Sequence, residues 1–184
     1  NIEDAILKYI NLKQNRIIQY YVAHGYNLAK TSVKTISRFI IGHGEVSVRE
    51  VSIKLDHIYG IPFIPASSIR GAFRNYLNEK YSEVDSKKNE YRENKIVTDV
   101  FGSEDKIGQL MFLDIYPRKF EVGVDVMTPH YGDYYSKDKN PTDDTKPNPI
   151  KFPAIEKGAE FDIVVLCKQK NYVMDEKTIN IEDE

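Results

Sequence analysis

Along the first 21 residues, apolar side chains fall at Ile2, Ile6, Tyr9, Ile10, Ile17, Tyr20 and Tyr21, with charged and amide residues between them. Spacings of three, four and seven put these positions on one side of a 3.6-residue turn, which predicts an amphipathic helix or two in succession. The period then changes. Val33 to Ile41 is rich in β-branched residues and runs into Gly42-His43-Gly44, a pattern that predicts a strand ending in a glycine turn. Val51, Ile53 and Leu55 alternate with Ser52, Lys54 and Asp56. This predicts a half-buried strand, paired through a Tyr59-Gly60 turn with the short segment Ile61-Pro62-Phe63-Ile64-Pro65.

Pro65-Ala66-Ser67-Ser68 opens the most regular helical pattern of the chain. Ser67 or Ser68 is the expected N-cap, Ile69, Ala72, Phe73, Tyr76 and Leu77 form the apolar face, and Arg70 and Arg74 lie one turn apart on the opposite side. Residues 82–95 are almost wholly polar and are expected to form a mobile surface connection, closed by Val100-Phe101-Gly102-Ser103. Gly108 to Ile115 and Phe161 to Leu166 read as buried strands. Between them lies a Tyr- and Pro-rich insertion, residues 120–155. Its front half alternates Phe120, Val122, Val124 and Val126 with Glu121, Gly123 and Asp125, a strand pattern, while Pro141, Pro147 and Pro149 mark its second half as loop. There are no internal repeats.

Composition narrows the function. The 184 residues suit one domain, read as an N-terminal helical segment over 1–27 followed by a domain over 28–184. With 13 Tyr, 8 Phe and no Trp, the aromatic set favours rings that pack and still offer a polar tip. The net charge of −2 gives the whole chain no attraction for a polyanion, so a nucleic-acid surface has to come from local patterning. Lys30, Lys34, Arg38, Arg49, Lys54, Arg70 and Arg74 outnumber Glu45, Glu50 and Asp56 in one such stretch. Cys167 is the sole cysteine, which excludes an intrachain disulfide and a cysteine zinc cluster and fits a reducing compartment. No apolar run approaches the roughly 20 residues of a membrane span, and the first residues do not resemble a signal peptide. The expectation is a soluble, cytoplasmic protein with no membrane partner.

The candidate chemistry centres on the segment from Tyr59 to Arg74, a rigid proline lead-in to a helix whose first turn offers N–H groups, two hydroxyls and an arginine. Such a terminus suits a phosphate, although a capped helix packed on a sheet would read the same way. Gly71 removes a side chain where a backbone has to come close. His43, between two glycines and beside Glu45, has the flexibility of a general base or of an RNA-contacting loop residue. His130 precedes Tyr131 and stands near Tyr134 and Tyr135, a set suited to stacking on bases beside Lys137 and Lys139. His24 and His57 lack a partner pattern. Asp133, Asp138, Asp143 and Asp144 lack calcium-loop spacing, and no metal or other cofactor is expected.

Strand, glycine turn, hairpin and then Ile61-Pro62-Phe63-Ile64-Pro65-Ala66-Ser67-Ser68-Ile69-Arg70-Gly71 together resemble the RAMP superfamily of CRISPR-associated RNA-binding proteins, with Ala66 where that family usually has glycine. Phe101-Gly102-Ser103, Gly108 to Pro117, Asp125-Val126-Met127-Thr128-Pro129-His130-Tyr131, Tyr134-Tyr135, Pro141-Thr142-Asp143 and Pro149 follow in order. This second series is similar to the family of sixth subunits of the type III-B Cmr effector. The resemblance implies an α+β fold of the ferredoxin-like or RRM-like kind. It also implies a non-catalytic subunit that contacts the 3′ part of a guide (CRISPR) RNA, meets target RNA and packs beside other Cmr-type RAMP subunits in antiviral defence. The RNA-contact candidates are Arg38, His43, Lys54, Ser67, Ser68, Arg70, Arg74, His130, Tyr131, Tyr134 and Tyr135. RAMP proteins generally end in a second helix, a fourth strand and a glycine-rich loop, and the polar tail after Cys167 shows no counterpart of them. Two other readings stand beside this one: a metal-independent endoribonuclease on the same fold, and a protein–protein adaptor that does not touch RNA.

Overall fold

A computed structural model describes residues 2–42, 53–81, 84–85, 90–91, 95–128, 149–168, 171–174 and 177–180. It is a mixed α+β protein whose contacts divide into two compact units. The first comprises Asn1–Val33, Phe63–Arg118 and Phe161–Glu184, and the second Lys34–Pro62 and Lys119–Glu160.

In the first unit, helix α1 (Ile2–Ala23) is a single continuous helix, with Glu3 and Asp4 at its positive N-terminal end. It stops at Gly25, which adopts φ +85°. The Tyr26 amide reaches back to the Tyr21 carbonyl at 3.1 Å and the Gly25 amide to that of Val22 at 3.0 Å, the paired bonds of a Schellman cap. The Tyr21 and Tyr26 rings meet edge-on at 5.1 Å and seal that turn.

Strand β1 (Asn27–Lys34) follows, earlier in the chain than the expected strand over Val33 to Ile41. Just past its end the Thr35 hydroxyl accepts hydrogen bonds from the Gly158 and Ala159 amides, and beyond it only Phe39 pairs again, as a bridge to Ile155. β1 itself is mostly solvent-exposed, so its sequence carries no alternation to betray it.

β1 pairs with β8 (Glu160–Cys167), and β8 in turn with β4 (Leu110–Phe112) and β5 (Pro117–Lys119). The β4–β8 pair is antiparallel, with Met111 opposite Leu166 and Phe112 opposite Val165. Because successive side chains point to opposite faces, each face receives its own helix layer. On one side Ile18 and Tyr21 of α1 pack with Met111, Leu113, Val164 and Leu166. On the other, Phe112, Leu110 and Val165 meet Ala66, Ile69 and Leu77 of α2 (Ala66–Tyr81) and Val97 and Phe101 of α3 (Lys95–Phe101). Helix α3 has only seven residues, too few for a period to show in sequence, but Val97 and Phe101 are one turn apart and both are buried. On α2, Ala72 and Tyr76 are exposed, and the packed stripe is narrower than the predicted apolar face.

Within the polar stretch 82–95, strands β2 (Val84–Asp85) and β3 (Glu90–Tyr91) form a two-residue antiparallel ladder. The tail carries a hairpin of β9 (Asn171–Met174) and β10 (Lys177–Asn180).

The second unit is built on the antiparallel pair β6 (Val122–Met127) and β7 (Ile150–Ile155), in register Val122 to Ile155 through Met127 to Ile150. The strand expected at Val122, Val124 and Val126 is therefore present, but these three valines are 51%, 58% and 48% exposed. Phe39 adds a further bridge by exchanging hydrogen bonds with Ile155 at 2.8 and 2.9 Å. Of the strand expected over Val51 to Leu55, the described residues from Ile53 onward form no strand, and the expected pairing is reduced to a single bridge from Leu55 to Pro62. Its turn is organised by the Asp56 carboxylate, which accepts the Ile58 and Tyr59 amides at 2.9 Å each, with Gly60 at φ +64°. Val51 and Ser52 of the expected strand lie outside the described residues.

Candidate nucleic-acid interface

The predicted phosphate-binding turn is built by a backbone bridge. Ile64 and Ile115 exchange N–H···O=C bonds at 2.9 Å, which sets Pro65 and the start of α2 beside Asp114. The helix begins at Ala66, one or two residues before the expected N-cap, so Ser67 and Ser68 sit inside the first turn with exposed side chains. The capping oxygen comes instead from the segment between β4 and β5, where the Asp114 carboxylate accepts the Ala66 amide at 2.8 Å. A carboxylate at the positive end of the helix takes the position that a phosphate would have favoured. Gln14 of α1 donates its amide to the Asp114 carbonyl, and Phe63 stacks on Tyr116 at 5.5 Å, so the turn is held from both flanks.

Arg70 is exposed on α2, and its guanidinium also donates to the Phe101 carbonyl at the end of α3, where the unsatisfied carbonyls of a helix attract a cation. Arg74 is half-buried and engaged. Arg70 also walls an open cleft of about 430 Å³ with Phe101, Ser103, Lys106 and Leu110 among its lining. Its floor is the turn Gly102–Gly108, in which Gly102 has φ +88° and a Cβ there would meet the Gly108 nitrogen and the Lys106 carbonyl at 2.6 Å. Lys106 is paired with Asp99, and Ile107, bridged to Gly102, stands 94% exposed.

In the second unit Arg38 lies across β6. It donates Nε to both Glu156 oxygens at 3.2 Å and Nη1 to Asp125 at 3.4 Å. The hydrogen bond and charge of Glu156, with a smaller contribution from Asp125, raise the guanidinium pKa above its ordinary value. Gly123 makes this possible, because any Cβ there would collide with the Glu156 carboxylate. Arg38 is thus already matched by two carboxylates. Lys54 packs against Gly42, and its amide donates to the Ile41 carbonyl at 2.8 Å. The structure brings Ser67, Ser68, Arg70 and Arg74 together on α2. His43, His130, Tyr131, Tyr134 and Tyr135 lie outside the described residues, as do Glu45, Asp133, Asp138, Asp143 and Asp144. Among the described residues no group of three His, Cys, Asp or Glu side chains is placed to hold a metal, and no helix is long and apolar enough to cross a membrane.

One charged cluster was not anticipated. Asp162, on the central strand β8, accepts the Ser32 hydroxyl at 2.6 Å and pairs with Lys30 at 3.0 Å and Arg118 at 3.4 Å. Burial pushes its carboxyl upward, but the hydrogen bonds from Ser32 and Lys30 and the charges of Lys30 and Arg118 outweigh it and leave the pKa below the usual value. The four residues come from three strands, so only the sheet order assembles them.

The chain belongs to the RAMP superfamily, whose family model matches residues 32–184. It is similar to the CRISPR system Cmr subunit Cmr6 of Pyrococcus furiosus, at 29% identity over 72% of this chain and 55% of the relative. It is also similar to the Cmr6 subunit of Saccharolobus solfataricus, at 28% identity over 79% of this chain and 48% of that protein. The chain thus spans about half the length of these relatives. Its fold is shared with a chain in the cryo-EM structure of the Type III-B Cmr-beta bound to cognate target RNA, with a TM-score of 0.71 at 23% identity, over 88% of this chain and 54% of the other.

Proposed function

We propose that this chain is a Cmr6-type, non-catalytic RNA-binding subunit of a cytoplasmic type III-B CRISPR effector. It contacts the 3′ part of the guide RNA, lies near target RNA and packs beside other RAMP subunits in antiviral defence. The observation that carries this reading is the superfamily match over residues 32–184, together with the likeness to two Cmr6 subunits. On this reading residues 28–184 form a ferredoxin-like RAMP domain with 120–155 as its insertion, and 1–27 are an addition to it. The RNA contacts fall to Ser67, Ser68, Arg70 and Arg74 on α2, to Arg38, His43 and Lys54, and to His130, Tyr131, Tyr134 and Tyr135 in the insertion. Cutting of RNA belongs to another subunit. The half-exposed valines of β6 fit a contact with a neighbouring protein, which also favours a subunit over a free-standing nuclease.

Copurification with its partners, followed by sequencing of the bound RNA, tests the assignment. Recovery of guide RNA and RAMP subunits is the expected result, and recovery of neither sinks it. Incubating the purified chain with guide-repeat RNA in EDTA tests the catalytic part, where site-specific products would favour the endoribonuclease reading.

A further inference from the structure

Residues 5–44 contain Lys8, Lys13, Arg16, Lys30, Lys34 and Arg38 and no Asp or Glu, so all 28 acidic residues lie elsewhere. The structure divides these six cations into two groups. Lys30 is paired with Asp162, Lys34 with Glu160, and Arg38 with Glu156 and Asp125. Lys8, Lys13 and Arg16, all on α1, are exposed and have no ion pair among the described residues.

The geometry of α1 sets these charges among aromatic rings. Leu7, Ile10 and Ile18 are buried, which leaves Tyr9, Leu12, Lys13, Arg16 and Tyr20 along the solvent side. Tyr9, Leu12 and Tyr20 are 57%, 61% and 59% exposed despite their size. Tyr20 is also held in place. The His24 ring lies on it at 4.1 Å with 33° between the planes, Tyr21 meets it edge-on at 5.5 Å, and His24 Nδ1 donates to the Tyr20 carbonyl at 2.7 Å. Tyr20 follows Tyr9 by eleven positions, about 16 Å of helix, with Lys13 and Arg16 between them.

We propose that the outer face of α1 is a second RNA-contacting surface, with Lys13 and Arg16 on phosphates and Tyr9 and Tyr20 stacking on bases of a single strand. Cations interleaved with rigid aromatic faces suit a single-stranded nucleic acid, which offers negative charge and flat rings together. The absence of carboxylate from this face removes the repulsion that a mixed-charge protein contact would tolerate and a phosphate backbone would not. Helix α1 precedes the matched span that begins at residue 32, so the surface is an addition to the superfamily domain. The inference rests on the proposed RNA-binding role and adds to it a site on a different element.

The test uses the whole chain with a labelled single-stranded RNA of mixed sequence, measured across a salt series. The variants are Lys13→Glu/Arg16→Glu, the neutral Lys13→Gln/Arg16→Gln, and Tyr20→Ala, each checked for an unchanged unfolding midpoint. The charge-reversed variant is expected to bind at least about tenfold more weakly. The neutral variant should lower the slope of log affinity against log salt by about 1.4, the loss of two phosphate contacts to a single strand. Tyr20→Ala should cost at least about fivefold, the low end for one stacked base. If the wild-type chain binds RNA and the α1 variants match it in affinity and salt slope, the α1 surface is refuted while the RNA-binding role stands. If the wild type does not bind RNA, both fall. If the variants keep RNA affinity and lose a neighbouring subunit, the occupant is a protein and the proposal is overturned.

Discussion

The Asp114 carboxylate accepts the Ala66 amide at 2.8 Å and so caps a helix 48 positions earlier in the chain. A cap supplied from so far along the chain ties α2 to the segment between β4 and β5 as well as satisfying its first turn. Asp114→Ala is therefore expected to lower the unfolding free energy by about 1–2 kcal/mol, with Asp114→Ser recovering part of it. Urea unfolding checks this, and an unchanged midpoint in Asp114→Ala would show that Ala66 finds another acceptor.

Gly102 and Gly108 lie back to back. A Cβ on Gly102 would meet backbone atoms at 2.6 Å and would have to sit at φ +88°, while one on Gly108 would collide with the Phe101 carbonyl group. Each single alanine substitution should destabilise the chain by more than about 2 kcal/mol, since neither neighbour is a flexible side-chain end. Thermal melts of the two variants against Gly71→Ala, where a Cβ meets open space, provide the comparison.

Asp162 links stability to acid. Its folded pKa is depressed, so the stabilisation is present above the unfolded carboxylate value of about 3.9 and is lost as pH falls through the folded value. Asp162→Asn should cost on the order of 1 kcal/mol at neutral pH, with the gap to wild type closing as pH drops below the ordinary carboxylate range. Added salt should narrow the gap, because Lys30 and Arg118 are both partly exposed. A gap that persists at low pH would assign the cost to packing rather than charge.

Under the proposed function, Tyr134→Ala/Tyr135→Ala should weaken binding to guide RNA or to the neighbouring subunit at least roughly fivefold, on the order of 1 kcal/mol. Quantitative pull-down against wild type measures it, and equal recovery of both partners would remove these tyrosines from the interface.

The elements that were legible in the sequence are those whose side chains report burial directly. The periodicity of α1, the apolar runs of β4 and β8 and the alternation on β6 each gave the right element type. β1 and α3 were missed for opposite reasons: Asn27 to Lys34 is an exposed edge with little to bury, and Lys95 to Phe101 is shorter than two full turns. The candidate site was legible as a location and less so in its wiring. Pro65 and the two serines do mark the start of α2, but Asp114 and the Phe101 carbonyl, which bind its first amide and Arg70, come from elements distant in sequence. No local pattern announces a partner that the sheet delivers.

Ile18 and Tyr21 of α1 cover Val164 and Leu166, although α1 precedes the span matched by the superfamily. The stretch recognisable by kinship and the stretch required for folding therefore begin at different residues. A recombinant fragment trimmed to residue 32 would bare one face of the β4–β8 ladder to water and turn a packed layer into an adhesive one. Anyone shortening this chain for crystallisation, or grafting it into a chimaera, has to take the first helix along.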